Sequence, residues 1–274
     1  MNAEEPARPR PASNGVKCPR AIIFDLDNTL AMAFTPLPER SVRGLAALLK
    51  IMPVAIMSGA SIERMEKYVL PRLPKDAKLG DLYLLPDTCA RCYVWQDGKW
   101  VRAYNHTLTK EAYEAAVSAL EEGMEKTGIV KDAPQWGERM LARENQVTFA
   151  GLGINAPADK KAAWDPDRSK RAKLKAFLDE KLAIFALDIR ISSRTAIDIT
   201  KLGVDKASGV RWVAEHLGFK PQEMLFIGDA LGPGGNDAIV IPTGIETREV
   251  KNPEETAEII DEVLSACRIT EPSE

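Results

Sequence analysis

The heptapeptide FDLDNTL, residues 24–30, ends an apolar run with two carboxylates spaced two positions apart. On a strand, residues i and i+2 share a face, so Asp25 and Asp27 can both point into the crevice beyond the carboxyl edge of a parallel sheet, where ligands bind in such folds. Like charges placed this closely repel. A hard cation such as Mg²⁺, held by carboxylate and carbonyl oxygens and a substrate phosphate, offsets them. Three further segments offer complementary groups. Ser58-Gly59 follows the apolar run PVAIM directly, presenting a hydroxyl and open backbone N–H groups ahead of a helix, an arrangement suited to anions. Lys206, in GVDK at a helix start, can bring a point positive charge to a phosphate. FIGDALGPGGND, residues 226–237, closes a strand with Asp229 and presents Asp237 after a glycine-rich loop, adding two acids suited to a metal. Taken singly, each has a plainer reading: a turn exit, a helix cap, a solvated lysine, a surface turn.

These groups need a frame to hold them. AIIF, ERSVRGLAALLK, PVAIM and SIERMEKYVL alternate as strand, helix, strand, helix through the first ~80 residues. The alternation returns near the end, as helix DKASGVRWVAEHLG, strand EMLFIG, strand AIVIP and helix NPEETAEIIDEVLSAC. Both ends predict one parallel sheet. Between them lie a hairpin, RCYVWQDGKWVRAYN, turning at Asp97-Gly98, and a long helix capped by Thr109 with Tyr113, Ala116, Val117, Leu120 and Met124 on its apolar stripe. A strand NQVTF, a helix opened by Asp165-Pro166 and ending near Lys181, and the strand pair LDIRISS and TAIDIT follow. The organisation predicted is a tail over residues 1–19, an α/β core over 20–85 and 201–274, and an inserted α+β domain over 86–200 with hinges near Leu85 and Lys201.

Bulk properties fit a globular protein of 274 residues, 45% apolar and 28% charged. A net charge of -3 gives no general pull toward nucleic acid or an anionic membrane, and neither is expected as a partner. No stretch reaches ~20 uninterrupted apolar residues, and MNAEEPARPRPASNG has no apolar signal region, so a cytoplasmic protein with a mobile tail is the expectation. Of four cysteines, Cys89 and Cys92 form a CARC pair without the second pair that a zinc ribbon requires, and Cys18 and Cys267 are isolated; all four read as buried or incidental thiols. GLGINA, residues 151–156, fits a dinucleotide fingerprint, but PADKKAAWDPD leads away from the immediate helix that the fingerprint needs. His106 and His216 lack partners for a triad or metal site.

The four chemical segments, in this order, resemble the haloacid dehalogenase superfamily of aspartate-based phosphotransferases. Its D-x-D-x-T motif matches Asp25-Leu26-Asp27-Asn28-Thr29, its Ser or Thr matches Ser58, its Lys matches Lys206, and its acidic G-D…N-D motif matches Gly228-Asp229 through Asn236-Asp237. The resemblance spans residues 20–267 and implies a Rossmann-like core with a parallel sheet and an inserted type C2B cap. Within the superfamily, GDALGPGGND, GVDK and DGKW are similar to eukaryotic-type phosphomannomutases. Asp25 would then attack phosphorus to form an aspartyl-phosphate, and Asp27, protonated when it first acts, would serve the leaving oxygen and then the incoming water. Lys206, Ser58 and loop N–H groups would position and stabilise the phosphoryl group. Mg²⁺ would sit on Asp25, the backbone carbonyl of Asp27, Asp229 and Asp237.

The cap is expected to choose the substrate. ARENQVTFAGLGI carries Arg143 at the first of two arginines with which phosphomannomutases grip a distal phosphate, but Ile154 stands at the second, and Lys161 replaces a further arginine. The S-x-D of that family becomes Ala196-Ile197-Asp198. Fewer guanidinium anchors favour transfer to water over re-entry of a bisphosphate. The expected function is a Mg²⁺-dependent phosphatase of a phosphorylated sugar or similar small metabolite, with Arg143, Gln146, Arg194 and Asp198 as cap contacts. A phosphomannomutase is the alternative, and a catalytically silent phosphosugar-binding protein is a third reading. The Trp95 and Trp100 hairpin could support a homodimer through the cap.

Overall fold

The computed structural model describes residues 17–269. Its larger sheet has seven strands in the order β11-β10-β1-β2-β3-β4-β5. Five are parallel: β1 (Ala21–Asp25), β2 (Val54–Met57), β3 (Leu82–Leu85), β10 (Met224–Gly228) and β11 (Glu246–Glu249). The three central strands β10, β1 and β2 are buried residue by residue, which is why they read as continuous apolar runs: both faces are covered. Alternate residues serve opposite layers. Ile22, Phe24, Val54 and Ile56 pack under α1 (Glu39–Leu48), α2 (Ile62–Tyr68) and α7 (Pro253–Ile269), whereas Ile23, Ala55 and Phe226 pack under α6 (Lys206–Leu217). Asp205 caps α6 in a reciprocal box with Ser208, which fixes Lys206 as the first helical residue at the carboxyl edge of the sheet.

The hairpin β4 (Arg91–Gln96) and β5 (Lys99–Asn105) departs from expectation. It pairs antiparallel with β3, Tyr83 facing Val94, and so extends the core sheet rather than joining the inserted unit. Its inward residues explain the placement: Cys92 and Val94 complete the apolar layer beneath α6, and Tyr93 and Trp100 pack against the opposite layer. The second sheet begins only with β6 (Met140–Arg143) and runs β6-β7-β9-β8, all antiparallel, with β7 at Gln146–Ala150, β8 at Leu187–Ser192 and β9 at Ala196–Lys201. Val147, Phe149, Ile197 and Ile199 face α3 (Lys110–Thr127) and α5 (Ser169–Lys181). The helices cross closely at Gly123, where a Cβ would lie 2.6 Å from Leu174. Buried Arg171 joins this layer through Asp165 and the carbonyls of Ser192 and Ser193. Gln146, Thr148, Asp198 and Thr200 occupy the other, polar face.

Two more readings are corrected. AIVIP is not a strand but a 3₁₀ segment, Ala238–Thr243, in which only Val240 is fully buried; Pro242 lacks a ladder N–H and Gly244, at φ +83°, turns the chain into β11. Cys18 and Cys267, 249 residues apart, form a disulfide joining the approach to β1 with the last turn of α7. Cys89 and Cys92 are buried free thiols, and burial pushes both above their ordinary range. GLGINA closes β7 in a turn, and the short α4 (Ala158–Trp164) starts two residues later. Of the expected tail, residues 1–16 lie outside the described residues. No helix among the described residues is long and apolar enough to cross a membrane.

Candidate active site

Five chain segments end at the carboxyl edge of the core sheet, and their polar residues meet there. Asp25, the last residue of β1, is buried, and its Oδ1 accepts a 2.5 Å hydrogen bond from Lys206 Nζ. Lys206 also donates to Asp237, whose other oxygen accepts from the Ala230 backbone N–H at 3.1 Å. The Asp237 carboxylate lies so close to Gly228 that a Cβ there would stand 2.4 Å from Oδ2, so the glycine ending β10 is required by the approach. Asp229 accepts from Asn28 Nδ2 at 3.2 Å, across the tight turn that follows Asp27. That turn places Asn28 at φ +62° and is fastened to α7 by a bond from Thr256 Oγ1 to the Thr29 carbonyl, 2.7 Å. Glu249, at the end of β11, accepts from the N–H groups of Leu231 and Gly232 and so steadies the glycine-rich loop.

One carboxylate oxygen from each of Asp25, Asp229 and Asp237 falls within 4.8 Å of the others. Among the described residues, Lys206 is the buried cation in contact with them. Burial pushes the Asp25 carboxyl up to about 8; Lys206 opposes this, and the charges of Asp237 and Asp27 add to it. Burial likewise raises Asp229. For Lys206, burial disfavours the ammonium, but Asp237 and Asp25 outweigh it and hold the group above its ordinary value. Three converging oxygen donors, two of them shifted upward by burial, fit a divalent cation. Asp27 is expected to add its backbone carbonyl; its side chain points elsewhere, with both oxygens on the guanidinium of Arg64 from α2.

Ser58 is buried, and its hydroxyl accepts from the Ala60 N–H at 3.0 Å, which preforms the turn after β2. The carbonyls of Ser58 and Ala60 accept from the N–H groups of Thr88 and Asp87, beyond β3. Asp87, Thr88 and Cys89 all have φ between +51° and +65°. The wholly buried Asp87 carboxylate receives Arg91 Nε at 2.7 Å, Arg143 at 2.9 Å and Asn145 at 3.2 Å, while Gln146 donates to Thr88 Oγ1 at 3.3 Å. Arg143 and Gln146 therefore sit at the seam between the two sheets. Asp198 lies on the polar face of the second sheet, accepting from Thr148 Oγ1 at 2.7 Å. Arg194 is exposed in the turn between β8 and β9, at the far end of β9 from Thr200, which pairs with Gln146. The structure thus gathers Asp25, Asp229, Asp237 and Lys206, places Asp27 and Ser58 beside them, and separates Arg194 from the group.

Several contacts around the site escape a reading of the sequence. Arg64 faces Asp27 across 37 residues, and no local pattern joins the two. Phe34, at φ +62°, lies over the Arg64 guanidinium with 4.1 Å to the ring centroid, and Lys161 from α4 stands 5.1 Å from the same ring. Arg168 donates to the Gly234 carbonyl in the glycine-rich loop, and Arg190 on β8 reaches Asp205 at 2.9 Å. The second unit is therefore seated over the carboxyl edge at four places.

Comparison with known proteins agrees with this geometry. Residues 22–237 match the family described as haloacid dehalogenase-like hydrolase. A phosphomannomutase of Drosophila melanogaster is 32% identical over 105 residues, 38% of this chain and 40% of that protein's length. Among solved structures, the IMP-bound, N-terminally truncated IMP-nucleotidase of Plasmodium falciparum superposes with a TM-score of 0.64 at 16% identity, covering 92% of this chain and 69% of that one. The C-terminal domain of C. albicans trehalose-6-phosphate phosphatase gives 0.62 at 14% identity, covering 90% and 93%. Those two likenesses establish a shared fold. The family match runs from β1 through Asp237 and takes in every acid of the cluster together with Ser58 and Lys206, so the chain belongs to the haloacid dehalogenase-like hydrolase family.

Proposed function

We propose that this protein is a Mg²⁺-dependent phosphohydrolase acting on a phosphorylated sugar or a similarly small metabolite, with Asp25 as nucleophile. The observation that carries the reading is Lys206 bridging Asp25 and Asp237 with Asp229 alongside. Lys206 occupies one oxygen of Asp25 and leaves the other to attack phosphorus; the new P–O bond forms as the ester P–O bond breaks. Asp27 supplies the proton that the leaving alcohol needs, then takes one from the water that cleaves the aspartyl-phosphate and restores Asp25. Lys206, the Ser58 hydroxyl and N–H groups of the surrounding turns hold the phosphoryl oxygens. Asp25, Asp229, Asp237 and the Asp27 carbonyl would hold Mg²⁺, which supplies charge stabilisation to the phosphoryl group.

The unit built on the second sheet serves as the cap. Its polar face, with Gln146, Thr148, Asp198 and Arg190, offers hydrogen-bonding groups suited to a hydroxylated substrate, and phosphomannomutase and trehalose-6-phosphate phosphatase are both named for phosphorylated sugars. Hydrolysis is favoured over mutase chemistry because Arg143, the remaining anchor of the distal-phosphate pattern, is already committed to Asp87. A phosphate-release screen over phosphorylated sugars with Mg²⁺, followed by a bisphosphate-dependent isomerase assay on the best substrates, separates the two. Release that disappears in Asp25→Asn is the expected result. Isomerisation without net release would move the assignment to a mutase, and binding with no turnover of either kind would remove the enzyme reading.

A further inference from the structure

We infer that Arg64 is the positioning residue of the Asp27 acid-base carboxylate; this rests on the function proposed above. Both terminal nitrogens of Arg64 lie on the two oxygens of Asp27 in a bidentate pair. Among the described residues the guanidinium forms its salt bridge with Asp27, and its Nε is buried without a hydrogen-bond partner. Phe34 covers one face of the same group at 4.1 Å and limits its swing. The side chains of Arg64 and Asp27 are 17% and 31% exposed, and in this part-buried, bidentate setting the clamp fixes the orientation of the carboxylate.

Orientation matters because of what Asp27 must do. Two residues after the nucleophile, it must present one oxygen to the leaving group and later to water. Each oxygen accepts one bond from Arg64 and keeps a further lone pair, so the bidentate pair sets the direction in which either oxygen can give or take a proton. Lys161, from α4, stands 5.1 Å from the centroid of the same Phe34 ring and so places a second cation beside this clamp. The proton path is conserved throughout: Asp27 gives one proton to the alkoxide oxygen in the first half-reaction and recovers one from water in the second.

Leaving-group dependence tests the assignment. An aryl phosphate such as 4-nitrophenyl phosphate departs as a stable phenolate and needs little protonation, whereas a sugar or alkyl phosphate needs it in full. Arg64→Ala is expected to lower the ratio of alkyl to aryl phosphate turnover, in kcat, on the order of 10-fold to 100-fold. Arg64→Lys should restore part of that ratio, Asp27→Asn should lower it in the same direction, and the double variant should be no worse than Asp27→Asn alone. Equal losses on both substrates, or a loss confined to KM, would assign Arg64 to substrate binding or structure and overturn the inference while leaving the phosphohydrolase reading intact. A wild-type protein inactive on both substrates would overturn that reading, and the inference with it.

Discussion

Lys206 is the residue on which the acid cluster balances. Wholly buried, it bridges two carboxylates, and removing one partner of such a group leaves the rest uncompensated. Lys206→Met is therefore expected to destabilise the metal-free fold by about 3–5 kcal/mol, read from urea unfolding, and to abolish phosphate release. A variant as stable as wild type would show that the ammonium contributes nothing to the balance. Asp25 adds a pH dependence whose sign follows from its upward shift. A carboxyl raised from 3.8 to about 8 in the folded state contributes stability that is present in full at low pH and is lost as pH rises through that window. In EDTA the thermal midpoint should carry a contribution that declines from about pH 4 to pH 8. A divalent cation competes with the same proton, so the midpoint gained on adding Mg²⁺ should be larger at pH 8 than at pH 5. An equal gain at both would separate the cation from Asp25.

At the scale of elements, the seam turn at Asp87 links the unit built on the second sheet to the turn after β2 that carries Ser58. Arg143 and Asn145 approach from the cap, Arg91 from β4, and the backbone of the same turn bonds to Ser58 and Ala60. Asp87→Asn preserves the shape but removes the charge opposite two arginines. It should cost stability by roughly 2–4 kcal/mol and raise KM more than it lowers kcat, because cap seating changes while the Asp25 cluster does not. Steady-state kinetics on the best substrate checks this; an unchanged KM would mean that the seam does not report to the site. The sequence shows part of this arrangement and conceals part of it. Asp25, Ser58 and Asp229 are visible because each directly ends an apolar run, and Lys206 because it opens an amphipathic helix. The hairpin's alternation reveals two strands but not which sheet edge they join, and its destination is set by the apolar edge of β3. AIVIP has the composition of a strand, and only its proline and the distant pairing of β11 with β10 decide otherwise. Arg143 presents a family-like position, but its partner, Asp87, lies 56 residues earlier, beyond the reach of any local pattern.

For the whole molecule, the decisive connection is one that spacing cannot show. Cys18 and Cys267 close a loop spanning nearly the entire chain, fastening the lead-in to β1 to the end of α7. The same helix carries Thr256, which holds the Thr29 carbonyl in the turn behind Asp25 and Asp27, and packs Ile260 and Val263 under the central strands. A cross-link at its far end limits fraying of the helix and removes conformations from the unfolded chain, an effect commonly worth about 2–4 kcal/mol. Reducing cytosol would keep such thiols apart, so the bond bears on the expectation of a cytoplasmic protein. Cys18→Ser, Cys267→Ser and the double variant should each lower stability by the same amount, because either single change already removes the bond. Dithiothreitol should destabilise the wild type to that level and have no effect on the variants. Turnover at low temperature should change little in all of them, since the disulfide lies at the opposite end of α7 from Thr256. Losses that add in the double variant, or a wild type indifferent to reductant, would show that the two thiols act separately and that apolar packing alone secures α7 to the sheet.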